Sequence, residues 1–124
     1  MAKILVVDDS LELLELFSTL LMAQGYEVET TSSSVNLKNV LSIFLPDLIL
    51  MDVMLGIDDG RELCKEIKEI HNKNIPIILI SANVDLLKGY EKCKADAFIE
   101  KPFNIKNLVE IVSKVLNEYQ TAGN

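Results

Sequence analysis

Apolar positions along the chain switch repeatedly between two periods. Lys3–Val7 is a short, β-branched-rich run bounded by acids, and it predicts a buried strand. Leu13, Leu16, Phe17, Leu20 and Leu21 follow at helical spacing. Asp9 stands at the N-cap position with Glu12 as its capping-box partner, and Gly25 closes the helix. Tyr26–Thr30 predicts a second strand, and Ser32–Ser34 a loop and cap. Leu37, Val40, Leu41 and Phe44 form a second helical stripe that must stop before Pro46. Asp47–Val53 is almost continuously apolar, with Asp52 inside its C-terminal end. Asp58-Asp59-Gly60 marks a turn, and Leu63, Ile67 and Ile70 mark a third helix. Pro76–Ser81 predicts a fourth strand and Asp85–Lys94 a helix interrupted by Gly89. Ala97–Glu100 predicts a short fifth strand. Asn104 caps a last helix with the stripe Ile105, Leu108, Val112, Val115 and Leu116, and Gln120–Asn124 is a frayed polar tail.

Five strand–helix repeats with non-alternating strands predict a doubly wound α/β fold. Its five-stranded parallel sheet is covered on both faces by helices, five in all, through right-handed crossovers. Residues 1–124 read as a single domain with its core at 3–118. Twelve Lys and Arg against nineteen Asp and Glu give a net charge of −7. That balance argues against direct nucleic-acid contact and against an anionic membrane surface. No apolar run approaches the length of a membrane span, and Met1-Ala2-Lys3 leads straight into a strand, so the chain reads as a complete, soluble, cytoplasmic protein. Cys64 and Cys93 lack the spacing of a zinc site and read as half-buried thiols on helices. His71 reads as a surface residue.

In an open α/β sheet the chemistry gathers beyond the carboxyl ends of the strands. There the pattern places Asp8 and Asp9 after the first strand, Asp52 at the end of the third, Ser81 at the end of the fourth and Lys101-Pro102 after the fifth. Taken singly, Asp9 is an N-cap, Ser81 a loop hydroxyl and Lys101 a solvated cation. Asp52 and Asp8 resist that treatment, because each follows an apolar run that drives it towards low dielectric. Crowded carboxylates need a cation; Lys101 supplies one charge, and an all-oxygen set suits Mg²⁺, with Mn²⁺ as the alternative. No glycine-rich phosphate cradle follows the first strand, and there is no nucleophilic serine with a base. A carboxylate beside Mg²⁺ and a lysine can itself attack phosphorus, so the residues point to a phosphoryl acceptor.

With these residues in place the chain resembles the receiver domain of two-component response regulators, of the stand-alone chemotaxis-regulator kind. The likeness covers residues 3–118 and implies the flavodoxin-like strand order 2-1-3-4-5. It implies that Asp52 is the phosphoacceptor, and that Asp8, Asp9, Asp52 and the backbone carbonyl of Met54 hold Mg²⁺. It further implies that Lys101 pairs with the phosphoryl group, that Ser81 is the switch hydroxyl and Phe98 the switch aromatic, and that Lys101-Pro102 is a cis peptide. The implied donor is a histidine kinase or histidine phosphotransfer protein. The implied output is a change in the face made by the helix at Asp85–Lys94, the fifth strand and the last helix, read by a downstream protein. Such a chain is a signalling switch that catalyses only its own phosphorylation and dephosphorylation. Three positions depart from the family pattern: Gly56 stands where proline is common, Lys94 where glycine is frequent, and the stretch from Ser81 to Lys101 is short. Gly56 predicts a looser loop after the third strand. Alternatives are a receiver fragment of a longer regulator or hybrid kinase, and an unphosphorylated interaction module. A phosphatase on the same fold lacks its second acid, because Met54 follows Asp52-Val53.

Overall fold

Side chains of successive strand residues point to opposite faces, so a strand buried on both faces must be apolar at every position. In β1 (Lys3–Val7), β3 (Leu48–Asp52) and β6 (Ile77–Ser81) this is what occurs except at one end of each, where Lys3, Asp52 and Ser81 stand. Leu5, Val7, Ile49, Met51, Ile77 and Leu79 join one core with Leu37, Leu41, Cys64 and Ile67. Ile4, Val6, Leu48, Leu50, Ile78 and Ile80 join the other with Phe17, Leu21, Leu108 and Val112. The computed structural model describes residues 1–71, 74–83, 85 and 93–122.

β2 (Glu27–Thr31) and β7 (Ala97–Glu100) complete a parallel sheet of order β2-β1-β3-β6-β7. Counting these five strands alone, the order is the expected 2-1-3-4-5. A small antiparallel hairpin, β4 (Met54–Leu55) with β5 (Asp58–Asp59), follows β3. It replaces the loose loop expected at Gly56, whose φ of 63° is the left-handed backbone that a tight turn uses.

The described helices are α1 (Leu11–Ala23), α2 (Leu37–Phe44), α3 (Gly60–Glu66) continued by a π-helical turn at Ile67–His71, and α4 (Ile105–Ala122). Of the five helices expected, the one at Asp85–Lys94 lies largely outside the described residues. The surface placement expected of His71 concerns its side chain, which is not among those described. The Gly25 stop is as read: its N–H reaches the Met22 carbonyl and the Tyr26 N–H the Leu21 carbonyl, a Schellman closure with Gly25 at φ 94°. Asn104 accepts the N–H groups of Lys106 and Asn107, capping α4 as expected.

Five details differ from the reading. Ser10, not Asp9, caps α1, its hydroxyl accepting the Leu13 N–H at 3.3 Å. The buried line of α1 is Leu14, Phe17 and Leu21, with Leu16 43% exposed; in so leucine-rich a helix the sheet, not the pattern, chooses the phase. Ile105 is 54% exposed while Leu108 is fully buried, because Ile105 opens α4 before the helix reaches the sheet. The last helix also runs through Gln120 to Ala122 instead of fraying there. Cys64 and Cys93 are buried, not half-buried, and are not joined by a disulfide. Burial, with Cys93 alongside, pushes the Cys64 thiol well above the usual range.

Candidate functional site

Parallel pairing brings the strand ends to one edge. Val7 lies beside Met51, Asp52 beside Ile80, and Ser81 beside Glu100, so the residue after each of β1 and β7 emerges level with Asp52 and Ser81. Chain order reverses between β1 and β3, and the crevice there is where Asp8 and Asp52 meet.

Asp8 is fully buried and Asp52 is 6% exposed. The Lys101 ammonium bridges them, 2.9 Å from Asp52 Oδ2 and 3.3 Å from Asp8 Oδ2. Each acid is also oriented by a backbone N–H: Ser10 donates to Asp8 Oδ1 at 2.9 Å and Met54 to Asp52 Oδ1 at 3.1 Å. Asp9, on the solvent side, accepts the Gly56 N–H at 3.2 Å. Burial pushes the Asp8 carboxyl above its ordinary value, and the charge of Asp52 adds to that. The Ser10 N–H and Lys101 work the other way. Burial alone would lower the Lys101 ammonium, but the hydrogen bond and charge of Asp52, with those of Asp8, outweigh it and hold the group above the usual lysine range.

One carboxylate oxygen from each of Asp8, Asp9 and Asp52 lies within 4.8 Å of the others. Fully ionised, the trio exceeds Lys101 by two negative charges, and every donor is oxygen. That is the donor set and the charge deficit of a hard divalent cation that keeps several of its waters.

The remaining residues expected at the site stand around this trio. Ser81 is buried at the end of β6, its hydroxyl accepting the Asn83 N–H at 3.1 Å and its carbonyl the Lys101 N–H at 2.8 Å. Phe98 lies in β7 opposite Leu79 and is 41% exposed. The Lys101–Pro102 peptide is cis. Phe103 stacks on Phe17 with ring centroids 5.1 Å apart, which ties the segment carrying Lys101 to α1. Met54, whose N–H reaches Asp52, is 58% exposed.

Two features escaped the sequence reading. Gly60, taken only as part of a turn, donates its N–H to the Val53 carbonyl at 2.6 Å, and a Cβ there would stand 2.2 Å from the Asp52 carbonyl oxygen. Only a glycine lets α3 start so close to the end of β3. Its signal was present, a glycine following two acids just after a buried strand, but a turn explains the same letters. At the opposite end of the sheet, Lys68 is buried and donates to Asp96 at 2.8 Å and to the Tyr119 hydroxyl at 2.9 Å. No local pattern links these three residues.

The family model for the response regulator receiver domain matches residues 4–113. Among curated proteins, the chain is 35% identical to a transcriptional regulatory protein CpxR homolog of Haemophilus influenzae, covering all of this chain and 54% of the relative. It is 34% identical to the heme response regulator HssR of Staphylococcus saprophyticus, over 96% of this chain and 53% of that one. The chain thus spans about half the length of these curated relatives. Among solved structures, a CheY-like receiver domain protein from Methanospirillum hungatei superposes with a TM-score of 0.90 at 25% identity, covering 98% of both chains. NtrX from Brucella abortus gives the same TM-score at 29% identity, over 98% of this chain and 28% of its own. By sequence match and by superposition, the chain belongs to the response regulator receiver domain family.

Proposed function

We propose that residues 1–124 form one phosphoacceptor receiver domain in which Asp52 takes a phosphoryl group from a histidine kinase or histidine phosphotransfer protein. The observation that carries this reading is the Asp52 carboxylate at a buried strand end, 2.9 Å from the Lys101 ammonium and clustered with Asp8 and Asp9. A carboxylate oxygen of Asp52 attacks phosphorus, the P–N bond to the donor imidazole breaks, and the imidazole nitrogen keeps the electron pair and takes up a proton. The product is an acyl phosphate on Asp52.

Asp8, Asp9, Asp52 and the Met54 carbonyl would hold Mg²⁺ (or Mn²⁺), which when bound neutralises charge on the transferring phosphoryl oxygens. Lys101 stays fixed beside Asp52 and pairs with the phosphoryl group. Ser81, held by Asn83, still has its own proton to donate to a phosphoryl oxygen. Its movement towards the acyl phosphate opens space beneath β7, into which Phe98 turns from its half-exposed position. The surface of β7 and the neighbouring helices changes with it, and a downstream protein reads the difference. In this reading the chain is a switch that acts chemically only on itself, in the cytoplasm. Among the described residues no helix is long and apolar enough to cross a membrane.

The test is intact-protein mass after incubation with a small phosphodonor such as acetyl phosphate and Mg²⁺. One phosphoryl group gained, and lost both in Asp52→Asn and with EDTA, is the expected result. No gain, with the fold intact by circular dichroism, would overturn the reading in favour of a static interaction module. A second arrangement is favoured by one observation: the curated relatives are about twice this chain's length. The same Asp52 chemistry would then drive a longer regulator.

A further inference from the structure

The chain has two cysteines, and the fold brings them together from 29 residues apart. Cys64 is buried in α3, and Cys93 is buried at the turn that leads into β7. β6 lies between them in sequence. They meet because α3 and that turn cover the same face of the sheet, where both thiols join the core of Leu5, Ile49, Ile77 and Leu79.

The Cys64 thiol donates to the Cys93 carbonyl at 3.4 Å. It also meets the Cys93 side chain. Burial is the main reason that Cys64 holds its proton; next come the charge that Cys93 carries when ionised and a hydrogen bond to the Cys93 side chain. Lys68, one helical turn beyond Cys64, works the other way and favours a thiolate. A buried cysteine that serves only as a small hydrophobe packs wherever a gap fits it and needs no second sulfur. Here each thiol has the other as its neighbour, and the chain holds no third thiol to compete.

We propose that Cys64 and Cys93 are a peroxide-sensitive pair that closes to a disulfide, stapling α3 to the segment that enters β7. Cys93 keeps 6% of its surface in solvent and Cys64 none, so Cys93 is the sulfur that the oxidant reaches. Its thiolate attacks one oxygen of hydrogen peroxide, the O–O bond breaks, and the hydroxide that leaves takes up the thiol's proton as water. Cys93 is then a sulfenic acid. The Cys64 sulfur attacks the Cys93 sulfur, the S–O bond breaks, and hydroxide leaves with the Cys64 proton as a second water. Two thiols are oxidised and one peroxide is reduced. In a reducing compartment the pair rests as thiols, and the disulfide is a transient, redox-sensing state. Neither residue belongs to the acidic site, so the pair is independent of phosphoryl transfer to Asp52. The staple nonetheless joins two elements that flank that site: α3 starts at Gly60 against the Asp52 carbonyl, and β7 carries Phe98 and leads to Lys101.

The test is thiol mapping on the folded full chain. Wild type is exposed to hydrogen peroxide, quenched, unfolded in urea with iodoacetamide, and digested without reductant. The expected result is loss of both free thiols in a monomeric chain, with one peptide pair joined through Cys64 and Cys93. Dithiothreitol should return both to alkylated thiols. Cys64→Ala is expected to stop at the sulfenic acid on Cys93, which dimedone traps, whereas Cys93→Ala leaves Cys64 alkylatable. Circular dichroism checks that both variants fold, and the wild-type map decides the matter should either fail to. Both wild-type thiols recovered alkylated after peroxide would overturn the proposal and leave two inert core cysteines. Disulfides between chains in place of the internal one would overturn it as well.

Discussion

At the scale of single residues, the site holds more negative charge than its lysine can offset, and that imbalance makes function and stability oppose one another. Asp8 is fully buried, and burial disfavours its charged form. Asp8→Asn removes that charge while leaving an acceptor oxygen for the Ser10 N–H. In EDTA the variant is expected to melt a few degrees higher than wild type and to bind Mg²⁺ more weakly. A lower melting temperature would show that Lys101 already balances the site. Met54 is the second case. Its exposed side chain, two residues after Asp52, carries no strong hydrogen-bonding group to offer an attacking water. Met54→Asn is therefore expected to speed loss of the phosphoryl group several-fold, timed by mass spectrometry after donor removal; unchanged decay would remove the idea. The identities of Asp8, Asp9, Asp52, Ser81 and Lys101 as candidates were legible because each follows or ends an apolar run. Their hydrogen-bond partners were not. The Asp9 side chain competes between capping α1 and facing the acids, and only the folded backbone shows that Ser10 takes the cap.

At the scale of elements, two connections hold the strands and helices that carry the site. Gly60 allows α3 to begin against β3, and Gly60→Ala forces a Cβ to 2.2 Å from the Asp52 carbonyl oxygen. The backbone must give way, and a loss of about 2–3 kcal/mol in urea unfolding is expected, as for other overpacking substitutions. At the far end of the sheet, Asp96 accepts from the Ile77 N–H, from Lys68 and from the Tyr119 hydroxyl, joining the π-helical turn, β6 and α4. Asp96→Ala leaves the Lys68 ammonium buried without its counter-charge and is expected to cost about 3 kcal/mol, against about 1 kcal/mol for Tyr119→Phe. Burial would lower the Lys68 ammonium, but Asp96 and Tyr119 outweigh it and raise it; burial and Asp96 raise the Tyr119 phenol. Both groups therefore bind their protons more tightly folded than unfolded. The stability they contribute is complete below about pH 10, the unfolded value of these groups, and is lost as pH rises through the higher folded values. Melts from pH 8 to 12 should fall more steeply for wild type than for a Lys68→Met/Tyr119→Phe double variant; parallel curves would count against the triad. The π turn that brings Lys68 inward has no sequence signature distinct from an ordinary helix.

At the scale of the whole molecule, the cation and the fold are linked. A ligand that binds the folded chain alone stabilises it by mass action, about 2.7 kcal/mol at a hundredfold excess over its Kd. Mg²⁺ is thus expected to raise the melting temperature by several degrees at constant ionic strength, reversibly with EDTA, and Asp52→Asn should abolish most of the shift. A shift that survives in Asp52→Asn would trace to general screening of the net charge of −7. The edge strand β2 belongs to this scale too. Its exposed Glu27 and Glu29 alternate with half-buried positions on an unpaired sheet edge, where charge discourages pairing with a second chain.

The sequence by itself determined the layer architecture, because a strand buried on both faces must be apolar throughout and a helix covering it must carry a stripe. Those two periods name the elements and their succession along the chain, while the order of the strands in the sheet came with the resemblance to the receiver family. It also determined which residues reach the carboxyl edge, since Asp8, Asp52, Ser81 and Lys101 each sit at or just past the end of an apolar run. Only the tertiary structure decided what depends on two distant segments meeting at ångström precision. That includes the helical phase of α1, the exposure of Ile105, the Gly56 N–H on Asp9, the absent Cβ of Gly60 beside Asp52, and the Lys68–Asp96–Tyr119 triad. Hydrophobic periodicity is a local and averaged quantity, and it survives in one dimension. A hydrogen bond spanning 47 residues is neither local nor averaged, and it exists only once the sheet has set both partners in place.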